Sequence, residues 1–480
     1  MNAVLSLSLV AAIVLATVTF ALFSIRRVKM SPYEYIVGSR SFGSLFLWVL
    51  LAGEIYTSFT FLGAAGWAYG LGAPAYYILA YGTCGYIIGY FLLPAIWRIG
   101  KERGLLTSPD FFVARYGSRT LGTAVAIVQF VLVVPYVTLQ LSGLQILLKI
   151  AGYGAIDGRT AAVISFIVIT LFVFATGLRG TAWASIVKDA LVIGALIFVG
   201  IAIPIQFFGS PAAMFDQLLR AHPNHLLLAP GSADHGEIWY VSTVLLTGIG
   251  FFMGPHSIAA TYSARDGDTL RRNAMFLPLY QLVLLLVFFA GFAALLIVPG
   301  LKGPSADQSF MLVVQHFYPP WVLGFVVGAG ALCALVPASA LLLSAASLIS
   351  KNVLGDALGI ATSDRNRLLT TRILVVLVGL LSLGLWLTED KSLVSLLLVY
   401  YNGVTQFMPA FVFGFLWPRT TVWGVSAGIA GGLALAAYLA FNNLQIGGAN
   451  PGFLALALNI ALLVSVSLCT RQPQSNPDPA

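Results

Sequence analysis

The chain is 480 residues long, 59% apolar and only 9% charged. A soluble domain carries roughly a quarter charged residues, so 25 basic and 17 acidic side chains cannot cover a water-facing surface of this size. That excludes soluble enzymes, secreted disulfide scaffolds and disordered proteins. The long apolar runs point to membrane helices and not to the short alternating strands of an outer-membrane barrel.

A hydropathy window of about 19 residues places thirteen spans, at 3–25, 43–69, 74–97, 120–148, 160–178, 182–207, 238–262, 274–300, 319–349, 368–388, 392–416, 421–442 and 452–470. The first is too long for a cleaved leader and has no basic residue ahead of it, so it is expected to remain as a helix. Arg26, Arg27 and Lys29 follow it directly and hold that end in the cytoplasm. The assignment then puts twenty basic residues in cytoplasmic loops and helix ends, and only Lys149, Arg159, Arg220, Lys302 and Lys391 opposite. Such asymmetry is the positive-inside pattern. The net charge of +8 is therefore a topology signal and implies no nucleic acid. The N-terminus is expected outside the plasma (inner) membrane and the C-terminus in the cytoplasm, with 471–480 a disordered Pro-rich tail. Cys84, Cys333 and Cys469 lie far apart, without metal or redox spacing, and read as packing residues.

Two spans are interrupted. The second has Ala52-Gly53 followed by Glu54, Ile55, Tyr56 and Thr57; the seventh has Gly248, Gly250, Gly254, Pro255, His256 and Ser257. Polar residues directly after a backbone break at membrane depth mark a functional site, because freed backbone groups in lipid must be satisfied. Matched interruptions five helices apart point to an inverted-repeat transporter. The expected organisation is an outer helix and first cytoplasmic loop (1–42), repeats at 43–207 and 238–416 joined by an outer loop (208–237), and two further helices (417–470).

Charges at membrane depth are functional candidates because desolvation makes them expensive. Glu54 stands in the first break, where a carboxylate holds a cation or accepts a proton. Lys188-Asp189 lies within the sixth span, readable as a snorkelling lysine beside a solvated carboxylate or as a tethered cation that exchanges a proton. His256 follows the second break, and an imidazole suits proton exchange, although hydrogen bonding to backbone freed by Pro255 accounts for it equally well. A substrate beside the two breaks would meet Gly53, Tyr56, Thr57, Tyr136, Gln140, Phe251, His256, Asn402 and Gln406. Exposed N–H groups of a half-helix favour an anion there. No His/Glu/Asp spacing suggests a metal site.

Thr176-Gly177-Leu178-Arg179-Gly180 with Trp183, the FFVARYGSRT segment from Phe111 to Thr120, and Pro135-Tyr136 through Gln140 and Gly143 are similar to signatures of the sodium:solute symporter family. AGEIYT (52–57), IVKD (186–189), PHS (255–257), RRN (271–273) and LVPA (335–338) resemble its bacterial monocarboxylate permease branch. The resemblance implies an all-α fold of thirteen transmembrane helices, a LeuT-type 5+5 inverted repeat with extra helices at both ends. It also implies symport of a small monocarboxylate such as lactate, pyruvate, acetate or propionate, and no enzymatic activity, cofactor or protein partner. The family's sodium site draws on carbonyls of the first break, here around Ala52 and Ile55, and on two adjacent hydroxyls of the ninth span. Leu335 and Val336 stand where that pair belongs; Ser339 is one turn away, and Ser185 replaces an acidic residue that some members carry. A hard cation wants several oxygen ligands. Proton coupling through Glu54, Lys188 and His256, with Asp189 beside the lysine, is therefore expected, with a weak sodium site as the alternative. The competing functions are a sodium-coupled sugar, proline or pantothenate symporter and, further off, a channel.

Overall fold

The structure, a computed structural model, describes residues 1–29, 31–53, 55–360, 363–388 and 392–470. It opens with α1 (Asn2–Ile25) and the short α2 (Pro32–Val37), whose N-cap Ser31 accepts the Glu34 N–H. The first interrupted span follows as α3 (Ser44–Ala52) and α4 (Ala64–Gly70), with a π-helical turn at Phe59–Gly63. Next come α5 (Tyr77–Glu102), the short α6 (Ser108–Tyr116) and α7 (Arg119–Ala151). α8 (Gly158–Ile197) runs through a π-turn into α9 (Ile203–Phe208), and α10 (Pro211–Ala221) lies in the loop beyond. The second interrupted span is α11 (Glu237–Gly250) and α12 (Pro255–Ser263), bent by 44° at the break.

α13 (Gly267–Gln281) and α14 (Leu284–Ile297) form one span, and α15 (Ser309–Phe317) is a loop helix. α16 (Pro320–Ser347) and α17 (Asp364–Trp386) come next. α18 (Leu393–Val404) and α19 (Met408–Leu416) make a further span, and α20 (Val422–Phe441) and α21 (Pro451–Cys469) pack as a peripheral pair. α16 is the axis of the bundle, 94% buried in its most apolar window against 17% for α1. A helix apolar all round belongs inside, and its small residues let neighbours approach: Gly324 lies against Leu9, Gly328 against Ile13 and Gly330 against Phe61.

Among the described residues, ten helical stretches are long and apolar enough to cross a membrane, eleven if the bent α11–α12 pair is one span. The difference from the expected thirteen lies in two places, the stretch Gly158–Phe208 and the divided span at 43–69. The spans expected at 160–178 and 182–207 are counted together as Gly158–Phe208, whose 51 residues are long enough to cross twice. At Gly177 (φ 61°, ψ −169°) the backbone leaves helical geometry and two helices meet at a kink; such a backbone is open to glycine and costs other residues about 1–3 kcal/mol. The span expected at 43–69 is divided at the first break into pieces too short to qualify singly. One bridge, Phe42 to Ala264, is the only β pairing among the described residues.

Candidate transport site at the helix breaks

The two breaks meet beside α16. α3 ends at Gly53, and the chain turns before re-entering helix at Phe59. Glu54 lies outside the described residues. The turn satisfies its own backbone: Thr60 Oγ1 donates to Ile55 O (2.6 Å) and accepts the Thr57 N–H (2.9 Å), while Thr57 Oγ1 accepts from Phe59 N (3.2 Å). Gln140 of α7 closes the second half, its Oε1 accepting from Ser58 N at 3.1 Å. Across from it, α12 starts at Pro255, with Gly254 as its extended N-cap.

Between the breaks lies a small cavity of about 20 Å³, lined in part by Gly53, Tyr136, Thr181, Ser185 and His256, with Val336 and Pro337 as its α16 wall. That is room for about one water molecule, so the site is drawn in. The His256 ring is 5.8 Å from that of Tyr136, which is 4.9 Å from that of Tyr400.

Lys188 stands next to this cavity. It is fully buried on α8, and its Nζ sits 2.9 Å from Asp189 Oδ1 and 3.5 Å from Tyr56 O, within 3.6 Å of where a Cβ on Gly53 would be. Asp189 also accepts the Tyr280 hydroxyl at 3.0 Å, and the Tyr56 hydroxyl donates to Tyr280 O at 2.9 Å. Two opposite charges are thus carried together into the core, as buried charges must be, and the ammonium reaches the backbone of the first break. Ser339, one turn beyond Val336, donates to Val336 O (2.6 Å) and shares a hydrogen bond with Thr181 (2.7 Å).

The structure brings Gly53, Tyr56, Tyr136, His256, Lys188 and Asp189 together. Other expected site residues sit elsewhere. Phe251 packs against Tyr81 and Tyr86 of α5. Gln406 donates to Asn402 O and Gly452 O at 3.1 Å and accepts from Asn459 of α21 at 3.1 Å, so this pair of residues holds α18 to the peripheral helices. Thr57 and Gln140 shape the break. Sequence reasoning missed Thr181 and Tyr280, and read Ser185 only as the loss of an acidic residue. Thr181 and Ser185 had a signal, because Thr181, Ser185 and Lys188 recur at i, i+4 and i+7 on one face of α8. Tyr280, beside Gln281 at the start of a long apolar run, had none.

On the face that carries most of the basic residues, backbone and ion pairs tie the helices shut. Phe42 N donates to Ser263 O and Arg265 N to Phe42 O, each at 3.0 Å, while Arg179 pairs with Glu34. Lys351 bridges Asp110 of α6 (2.6 Å) and Asp356 (2.8 Å), and Asn352 donates to Asp110 at 2.7 Å. Burial pulls the Asp110 carboxyl up, but Lys351 and the Leu106 and Thr107 N–H groups outweigh it and hold the group below the usual carboxylate range.

Residues 35–432 match the model of the sodium:solute symporter family. The chain belongs to that family. It is therefore a membrane-embedded secondary transporter for a small solute and not an enzyme. It is 40% identical over 458 residues, 93% of each chain, to the uncharacterised symporter YhjB of Bacillus subtilis. It is also 31% identical over 449 residues, 90% of each, to a monocarboxylate transport permease protein of Rhizobium johnstonii. A Na+-coupled sialic acid symporter, solved substrate-bound and outward-open, superposes with a TM-score of 0.79 over 99% of both chains at 14% identity. The LeuT-type fold implied by the motifs is thus the fold of this symporter.

Proposed function

We propose that this chain is a proton-coupled symporter for a small monocarboxylate of the lactate, pyruvate or acetate kind. It works by alternating access across the plasma membrane, with its N-terminus outside. The observation that carries the coupling is the position of Lys188. Its ammonium lies against the first break, beside the carbonyls from which a coupling cation would draw its ligands, and α16 presents Val336 there in place of hydroxyls. A tethered ammonium in that place leaves a free cation little to do. When Lys188 gives up its proton, Asp189 loses its counter-charge and the break loses its tie to α8; reprotonation restores both. Glu54, one residue from Gly53, is the second proton carrier in this scheme.

The monocarboxylate rests on the start of α12, where the helix dipole favours an anion, on Tyr136, Thr181, Ser185 and His256 around a compact cavity, and on the likeness to the Rhizobium permease. Sodium coupling is the rival, and Ser339 with Thr181 supplies the hydroxyls it would use. Reconstituted Lys188→Gln tests the central assignment. It should exchange labelled lactate across the bilayer at near wild-type rate and lose concentrative uptake by at least tenfold. Accumulation at the wild-type level would return Lys188 to a packing role.

A further inference from the structure

The connection between α14 and α16 carries a carboxylate that the transport scheme does not use. Asp307, in a short helical turn at Gly303–Gln308, is 2% exposed. Its Oδ2 accepts the Leu393 N–H at 2.9 Å, in the first turn of α18. Its Oδ1 is buried and has no hydrogen-bond partner among the described residues. On the other side stands Gly66 of α4, packed so tightly that an added Cβ would fall 2.4 Å from Asp307 Oδ1 and 2.8 Å from its Cα and N. Three elements therefore meet at one carboxyl group: the loop, the second half of the first interrupted span, and α18.

Asp307 also borders a cavity of about 460 Å³ shared with Thr138 and Ser142 of α7, Lys302, and Leu393 and Leu396 of α18. The central site continues along the same two helices, at Tyr136 and Tyr400. Leu396 and Tyr400 are one helical turn apart, about 6 Å. Taken as the vestibule above the site on the face with few basic residues, this cavity has the loop bearing Asp307 along its side.

We propose that Asp307 is a proton-binding site of this outer gate: its free oxygen takes up a proton from the vestibule as the loop closes on Gly66 and Leu393, and releases it when the loop lifts away. This rests on reading the chain as an alternating-access carrier. A carboxyl enclosed without a counter-charge favours its neutral form, and Oδ1 can receive the proton while Oδ2 keeps the Leu393 N–H. The titratable groups on the surrounding elements are Lys302 on the loop, Tyr69 on α4, His225 against the end of α4, and Lys149 on α7; Glu389, Asp390 and Lys391 ahead of α18 lie outside the described residues. His225 holds Ala68 O at 2.7 Å and Tyr69 holds Val298 O at 2.8 Å, and no ion pair among the described residues reaches Asp307.

The sign follows from burial. Closed, the carboxyl is held up at about 7 by its enclosure, against the opposing pull of the Leu393 N–H. Opened to water, it returns toward 3.8. The closed arrangement therefore binds the proton more tightly, and acid outside favours closure. The open-to-closed ratio should rise by up to about tenfold per pH unit between these values and level off above the higher one.

The test is thiol labelling of the full chain in proteoliposomes. Cys84, Cys333 and Cys469 are replaced, and Ser142→Cys reports the vestibule to a membrane-impermeant reagent. Rates are divided by those of Gln217→Cys on the exposed α10, which removes the reagent's own pH dependence. Between outside pH 5.5 and 7.5 the normalised rate should rise at least fivefold. Asp307→Asn, a permanently neutral shape match, should hold it flat at the low-pH level. Gly66→Ala retains the carboxyl but props the loop open, so labelling should be high and flat. A pH-independent wild type, or either variant keeping the wild-type profile, overturns the proposal. Uptake by the same liposomes separates the two readings: a carrier with intact coupled uptake and flat labelling sinks the Asp307 site alone, whereas absent uptake with the expected labelling sinks the carrier scheme alone.

Discussion

At the scale of single residues, the account turns on charges carried where water is scarce. Breaking the Lys188–Asp189 pair by Lys188→Met strands a carboxylate in the core, which costs about 3–5 kcal/mol. The double change Lys188→Met/Asp189→Leu should recover most of that loss; thermal unfolding in detergent measures both. Asp110 behaves oppositely to Asp307. Its folded value is depressed, so the tie to Lys351 is fully present above the ordinary carboxylate range and is lost only as pH falls through the lowered value. Trypsin cleavage at exposed Arg103 and Arg119 in vesicles that present this face, divided by cleavage of an unfolded control peptide at the same pH, should therefore not change between pH 8 and pH 5, and should increase in Lys351→Met at every pH. A rise on acidification alone would show that Asp110 is not held low. Lys188, Asp189 and His256 were legible because charged residues are rare in this chain. Asn402, Gln406 and Gln140 were legible as buried polar groups, but not in their purpose. A polar side chain that bonds another helix and one that lines a cavity satisfy the same rule, and nothing local in the sequence tells them apart.

At the scale of elements, hydropathy locates apolar stretches without showing how they are divided. Gly177 is nonetheless a boundary that the sequence did show: it stands between two expected spans, and two helices meet there at a kink. A Cβ there would also fall 2.6 Å from Cδ2 of Tyr35 on α2, so Gly177→Ala should lower stability by about 1–3 kcal/mol, read as a lower melting temperature in detergent. An unchanged melting temperature would mean that the kink relaxes freely. The breaks themselves were legible, because glycine and proline followed by polar residues in a span leave backbone groups that something must satisfy. The satisfying groups, Thr60 on Ile55 O and Gln140 on Ser58 N, are set by tertiary packing and appear only in the structure.

At the scale of the whole molecule, the same arrangement is tied at both faces and narrow between them. Phe42 with Ser263 and Arg265, and Asp110 with Lys351, hold the basic face; Asp307 with Gly66 and Leu393 holds the other; the central cavity has room for about one water molecule. A carrier must release one set of ties at a time, and in the scheme proposed above proton binding at Lys188, at Glu54 and at the outer loop would give the gradient a means of choosing which. The family and the fold follow from motif order and helix packing, whereas the coupling ion depends on a few ångströms around the first break. The most direct measurement is uptake of labelled lactate by proteoliposomes under an inward proton gradient in sodium-free buffer, compared with an inward sodium gradient at equal pH on both sides. The account predicts concentrative uptake with the proton gradient and none above the equilibrium level with sodium alone. Accumulation that requires sodium and ignores the proton gradient would contradict it, and would place the coupling cation beside Ser339 and Thr181.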